Sequence, residues 1–219
     1  MKLKKPNDIQ KLVSISTGFT LALLVMRGLY TGTLTYFFYP WNLFLGMLPV
    51  FFSGLLLKEK TFNYRSILWL CLWLLFLPNA PYLLTDIFHF KERPPIPLWF
   101  DLMLVVSGAW NGILFCMISL FRVEKFLKTH ANTKFVNILM FLLLIPCGYG
   151  IYIGRYLRYN SWDIVTNPAG LIKTSTHHLH HPVQSLNVWM FTFVFAAFLG
   201  IVYFTIKKLP RMLYTTRQF

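Results

Sequence analysis

The sequence predicts an all-α membrane protein, a polytopic bundle of about six transmembrane helices with its N- and C-termini in the cytoplasm. Three observations predict it. Apolar residues make up 56% of the chain and charged residues 13%, against about 45–50% and roughly 25% in soluble domains. Six nearly uncharged stretches each approach the length, about 18 residues, that crosses a bilayer core near 30 Å thick. Lysine and arginine are shared unevenly between the two sides of such a bundle.

The stretches are residues 12–29, 41–57, 67–84, 98–120, 135–153 and 188–206. They leave no segment that could form a separate soluble domain, so residues 1–219 read as a single membrane domain. The first follows Lys2, Lys4, Lys5 and Lys11, as the apolar core of a signal peptide would. Met26-Arg27-Gly28-Leu29-Tyr30 is bulky where a peptidase needs small side chains, so an uncleaved helix is expected. Residues 30–40, uncharged and rich in Tyr and Phe, suit an outer interfacial belt. The third stretch carries Pro78 and Pro81, each of which removes a backbone hydrogen bond and kinks a helix. The fourth and fifth carry Gly108, Gly112, Gly150 and Gly154, small residues of the kind that lets membrane helices pack closely. The connection 154–187 is too long for a turn; Pro168 marks the first turn of a short interfacial helix near 167–174.

Under this arrangement fifteen basic residues fall on one side. They are the four N-terminal lysines, then Lys58, Lys60 and Arg65, then Arg122, Lys125, Lys128 and Lys134, and finally Lys207, Lys208, Arg211 and Arg217. The other side holds five: Lys91, Arg93, Arg155, Arg158 and Lys173. That is the positive-inside signature. The net charge of +14 therefore points to anionic inner-leaflet lipids and away from nucleic acid. Cys71, Cys116 and Cys147 sit in apolar stretches without the close spacing of a redox or zinc motif, and read as small buried hydrophobes. No histidine falls inside a stretch, which argues against a haem held by two intramembrane imidazoles. No nucleotide-binding motif is present, and no cofactor is indicated beyond a possible divalent cation.

Ionisable groups at membrane depth cost about 2.5–3.5 kcal/mol at a helix centre, so each calls for an explanation. Arg27, towards the end of the first stretch, and Asp101, near the start of the fourth, are the only charges within the stretches. At the outer end of the third helix Asn79, Tyr82, Asp86 and His89 share one helical face, within an arc of roughly 80°. In the fourth, Asp101, Gly108, Asn111 and Gly112 share a face, with Ser119 further along. In the fifth, Tyr152, Arg155 and Tyr159 share another, with Arg158 beside them and Asp163 just beyond. The aspartates suit acid–base chemistry or a cation, and make Asp86, Asp101 and Asp163 the candidate catalytic residues. Arg155 and Arg158, with Tyr152, Tyr159, Asn79, Tyr82 and Asn111, are the candidate substrate-binding residues, because guanidinium forks suit phosphate. Structural readings stand beside these. Asn79 can satisfy a proline kink, Asp101 a helix N-terminus, and the arginines can reach the interface.

Leu77-Pro-Asn-Ala-Pro-Tyr-Leu-Leu-Thr-Asp86, Pro97-Leu-Trp-Phe-Asp101, and Gly148-Tyr-Gly-Ile-Tyr-Ile-Gly-Arg155 continued by Arg158-Tyr-Asn-Ser-Trp-Asp163 resemble a bacterial family of integral membrane proteins known only as a domain of unknown function. The resemblance runs over nearly the whole chain. It implies a bacterial cytoplasmic membrane protein, makes the outer polar cluster the family's distinctive part, and carries no activity.

His177 and His181, in His177-His178-Leu179-His180-His181-Pro182, have the i, i+4 spacing of two zinc ligands on a helix. Pro182 and the preceding Ser/Thr run favour an irregular loop, and His89 with Asp86 would be the further ligands of such a site. Three classes of function fit these residues. The first binds or processes an anionic lipid-linked substrate at the outer leaflet. The second is a non-catalytic partner of another membrane complex. The third is a small transporter or flippase, which needs a polar path past Asn111 and Ser119.

Overall fold

The structure, a computed structural model, describes residues 6–215 and the side chains of residues 8–209. Lys2, Lys4, Lys5 and Arg217 of the charge count lie outside the described residues, as does the side chain of Arg211. Among the described residues there is no strand, and six helical spans are long and apolar enough to cross a membrane. They fall into two compact units, one within Lys4–His130 and one within Ala131–Phe219.

The first unit comprises α1 (Pro6–Thr31), α2 (Tyr39–Leu56), α3 (Tyr64–Phe76), α4 (Asn79–Tyr82), a 3-10 turn (Leu83–His89) and α5 (Leu98–His130). Helix α5 is its spine, packed by α1, α2, α4 and the 3-10 turn. Its most apolar window is 67% buried, against 22–39% for the other spans. The rest of each span therefore offers its apolar side to lipid.

Helix α3 starts at a capping box. The Asn63 side chain accepts from the Ser66 amide at 3.0 Å, and Ser66 Oγ accepts from the Asn63 amide at 2.8 Å. It stops where Pro78 and Pro81 withhold two donors. Asn79 Nδ2 then donates to the Phe76 carbonyl at 3.0 Å, closing one of the acceptors left at the break. The kinked backbone needs room on both sides. A Cβ at Gly112 would lie 2.4 Å from the Ala80 carbonyl oxygen, and one at Gly46 would lie 3.3 Å from that of Asn79.

Two expectations change here. The face shared by Asn79, Tyr82, Asp86 and His89 is not continuous, because the chain passes from α-helical to 3-10 winding with three residues per turn. Asp86 turns fully inward, whereas His89 is exposed. Helix α5 also runs ten residues past the expected 120, so Arg122, Glu124, Lys125 and Lys128 are helical. Lys128 pairs with Glu124 one turn away, and Arg122 bonds the Val50 carbonyl at 2.8 Å. Consequently His89 and His130, expected in connections, close the third and fourth spans.

The second unit comprises α6 (Thr133–Leu142), α7 (Leu144–Tyr156), α8 (Asp163–Thr166), α9 (Pro168–His180) and α10 (Leu186–Thr215). Helices α6 and α7 form one span broken at Leu143, where Pro146 withholds the donor that Leu142 would accept. Helix α7 packs on α10 so closely that a Cβ at Gly148 would lie 2.5 Å from the Thr192 carbonyl oxygen. Just past the C-cap of α7, Arg158 lies in the left-handed region, with φ +60°, and the Tyr159 amide turns back to the Ile153 carbonyl. Tyr159 is therefore off the helical face expected for it.

Helix α9 begins as expected, at Pro168, with the Asn167 side chain accepting from the Gly170 amide at 3.1 Å. It continues through His177 and His178 to His180, where an irregular loop was expected. Pro182 acts only on the residue before it, and His181 leaves the helix with φ −120° and ψ 61°.

Candidate functional site

The densest polar centre of the first unit gathers where α1 ends and α5 begins. Arg27 donates from Nε to Asp101 Oδ1 at 2.7 Å and from Nη2 to Asp101 Oδ2 at 3.1 Å. Both side chains are almost fully buried, at 2% and 3% exposure. This is the two-pronged guanidinium–carboxylate geometry that lysine cannot reproduce. Its third nitrogen, Nη1, is buried without a hydrogen-bond acceptor. Further along the same seam, Thr20 Oγ1 donates to Ser107 Oγ at 3.0 Å. Asn111 Nδ2 donates to Thr20 Oγ1 at 2.8 Å and to the Ser107 carbonyl at 3.0 Å. Asn111 is thereby consumed in joining α1 to α5.

Tyr36 covers the arginine. It follows Gly32 in the α1–α2 connection and holds φ +66°, which costs a non-glycine residue about 1–2 kcal/mol. Its ring is within cation–π distance of two guanidinium groups, with Arg27 Cζ 5.1 Å and Arg93 Cζ 4.8 Å from the centroid. Arg93 Nη1 donates to the Tyr36 hydroxyl, and Arg93 Nη2 donates to the His89 carbonyl at 3.2 Å. Burial pushes the Tyr36 phenol above its usual range, against the opposing pull of Arg93, so it stays protonated at neutral pH. Beside this group Asn42 Nδ2 donates to Asp86 Oδ2 at 3.1 Å, and the His89 ring rests on Phe38.

In the second unit the polar residues serve mainly to dock α9. The Tyr149 hydroxyl donates to Ser175 Oγ at 3.1 Å and is hydrogen-bonded to His178 Nδ1 at 3.0 Å. Trp189 stacks on Tyr149 and donates to the His178 carbonyl at 3.2 Å. Tyr152 packs edge-on to Phe191, and the Tyr159 hydroxyl is hydrogen-bonded to Thr174 Oγ1 at 3.2 Å. Burial and the neighbouring His177 hold His178 below the ordinary histidine range. Asp163 caps its own turn, accepting from the Asn160 amide at 2.7 Å and from Thr166 Oγ1 at 2.8 Å. These bonds hold its carboxyl below the usual range. Arg155 is half-buried at the last turn of α7, and Arg158 is exposed.

Of the residues singled out from sequence, Asn79, Tyr82, Asp86, His89, Asp101 and Asn111 belong to the first unit. Tyr152, Arg155, Arg158, Tyr159, Asp163, His177 and His181 belong to the second. His177 and His181 do lie side by side, with ring centroids 4.9 Å apart. No group of three or more His, Cys, Asp or Glu that could hold a metal ion occurs among the described residues. Sequence reasoning passed over Tyr36, Asn42, Arg93 and His178. Arg93 was counted only as a loop charge, and nothing in a run of aromatic residues announces a left-handed tyrosine.

These features define a multi-pass helical membrane protein with a buried arginine–aspartate centre covered by a tyrosine. The chain belongs to the family described as "Protein of unknown function (DUF1361)", whose model matches residues 41–202. Asp86, Arg93 and Asp101 fall inside that segment, and Arg27 and Tyr36 precede it. No curated protein and no solved structure matches the chain.

Proposed function

We propose that this protein is a bacterial cytoplasmic-membrane protein, with both termini in the cytoplasm, that binds an anionic lipid-linked ligand at the outer leaflet. One observation carries the reading. Arg27 is locked by Asp101 in a fixed orientation yet keeps a buried Nη1 without an acceptor, and the tyrosine that seals it is strained and held by a second arginine. A phosphate that displaced the Tyr36 ring would meet the Arg27 and Arg93 guanidinium groups, which lie 5.1 and 4.8 Å from that ring's centroid. Strain of this kind collects at ligand clamps. On this reading the role is binding rather than turnover, because Asp101 acts as the counter-ion of Arg27, Asp86 is buried against Asn42, and Asp163 is spent on its own turn. A transport path is not favoured either, since Asn111 is tied into the α1–α5 seam.

Binding of a polyisoprenyl phosphate to the detergent-solubilised protein, compared with the uncharged polyisoprenol, tests this. The phosphate should bind at least tenfold more tightly, and Arg93→Gln should remove about a tenfold share, the scale of one charge-assisted hydrogen bond. Equal affinity for phosphate and alcohol would sink the proposal. A second reading, a non-catalytic partner of another membrane complex, is favoured by the continuity of the ion pair with the Asn111–Thr20–Ser107 bonds, which makes the whole seam internal glue. On that reading Arg93→Gln changes neither affinity. For the topology, a cytoplasm-dependent reporter fused after Phe219 should be active and one inserted near Thr174 inactive; activity at both would overturn it.

A further inference from the structure

At the opposite end of the second unit's helices an apolar groove of about 560 Å³ runs between α6 and α10. Its volume lies in the ordinary range of ligand sites, about 300–1,000 Å³. Ala197, Gly200, Ile201, Phe204 and Lys208 of α10 line it from one helical face, facing Phe141 of α6. Glycine keeps the groove deep. A Cβ at Gly200 would meet Phe141 and Leu144 only at ordinary contact distance, 3.5 and 3.6 Å, so packing alone does not require a glycine there.

The groove has a polar end. Of the two adjacent lysines, Lys207 donates to Asn137 Oδ1 at 3.0 Å and lies 5.2 Å from the Tyr203 ring centroid, so it is held against the protein. Lys208 lines the groove mouth and is exposed. It stands 19 residues beyond Trp189 on the same helix, roughly 28 Å along its axis, close to the hydrocarbon thickness of a bilayer. A long apolar slot at membrane depth, ending in an exposed ammonium at the interface, matches an acyl chain joined to an anionic headgroup.

We propose that the α6–α10 groove is a binding site for one anionic phospholipid, with an acyl chain laid over Ala197 and Gly200 and its phosphate on Lys208. The slot selects for a chain and the lysine for charge, so the two can be removed separately. Lys208→Gln takes away the charge and leaves the slot. Ala197→Trp fills the slot from an exposed position and leaves the charge. Neither change touches the Arg27 centre.

The test is native mass spectrometry of the full chain in mixed micelles holding equal amounts of phosphatidylglycerol and phosphatidylcholine with identical acyl chains. The wild-type protein should retain phosphatidylglycerol about fivefold over phosphatidylcholine, the factor that one basic side chain near a membrane surface supplies. Lys208→Gln should bring the ratio to one, and Ala197→Trp should lower retention of both lipids several-fold. Absence of preference in the wild type, or unchanged retention in Ala197→Trp, overturns the proposal. On the unaltered chain, phosphatidylglycerol with a photoactivatable acyl chain should label peptides containing Phe141 or residues 197–204. Even labelling of all six spans overturns it independently of how the variants fold.

Discussion

The two units secure their polar groups differently. In the first, the anchors are charged and sealed, with Arg27 and Asp101 nearly inaccessible and Asp86 fully buried against Asn42. In the second, the anchors that dock α9 are neutral, a set of hydroxyl, imidazole and indole bonds among Tyr149, Ser175, His178 and Trp189. A neutral hydrogen bond contributes about 0.5–1.5 kcal/mol net, whereas breaking a buried ion pair from one side costs about 3–5 kcal/mol. The comparison teaches where each unit can yield. The first holds or fails as a whole; the second can release one surface helix and keep its spans.

The largest effect expected from this difference is at the ion pair. Arg27→Ala should cost about 3–5 kcal/mol and sharply reduce the monodisperse protein recovered from membranes. Adding Asp101→Ala should restore much of it, because no lone buried charge then remains. Size-exclusion chromatography of fluorescent fusions reads both, and a double variant worse than the single one would show that the pair is not the anchor.

Next come close approaches that both units share. Gly112→Ala and Gly148→Ala would each push a methyl group into a facing backbone carbonyl, at 2.4 and 2.5 Å. Each should destabilise by about 1–3 kcal/mol. Gly18→Ala, with nothing within 4 Å, should leave the thermal midpoint unchanged. If all three behave alike, these glycines do not set the helix spacing.

Arg155 sharpens the contrast from the other side. At the half-buried end of α7, Arg155→Lys should preserve the amount of folded protein while impairing function in cells, as expected of a fork-shaped anion contact. Equal loss of folded protein in Arg155→Lys and Arg155→Ala would make it structural. The smallest effect is one of pH. Because His178 is held below its ordinary pKa of about 6.5, its neutral form stabilises the docked α9. That contribution is complete above pH 6.5 and fades as the pH falls further. Hydrogen exchange at residues 174–180, corrected for intrinsic rates, should quicken between pH 7.5 and 5.5 in the wild type. In His178→Gln it should not change.

Much of the fold could be read from hydropathy, since each of the six apolar stretches became a span. What hydropathy misses are the ends, where helix geometry outlasts apolar composition. Helix α5 continues to His130 on charged residues, and α9 carries its histidines in helical winding until Pro182 dismisses the residue before it. The Arg27–Asp101 pair was half-legible, because two lone opposite charges inside apolar stretches have few other ways to be tolerated. Its tyrosine cover was not, because the backbone of Tyr36 follows from tertiary packing and the residue type gives no sign of it. His178 was obscured by neighbours that look better as metal ligands but face solvent.

The partners of the ion pair are 74 residues apart in the chain, and that distance is also a delay. At about 5–20 residues per second, Arg27 is joined to the chain roughly 4–15 s before Asp101 is. During that interval the first helix carries a charge with no counter-ion, near enough to its end for the guanidinium to reach the headgroups. It is consequently less firmly inserted alone than in the finished protein. Nascent chains arrested before Asp101 should be extracted by alkaline carbonate more readily than chains arrested after α5, and Arg27→Leu should abolish the difference. The fourth span thus finishes the insertion of the first.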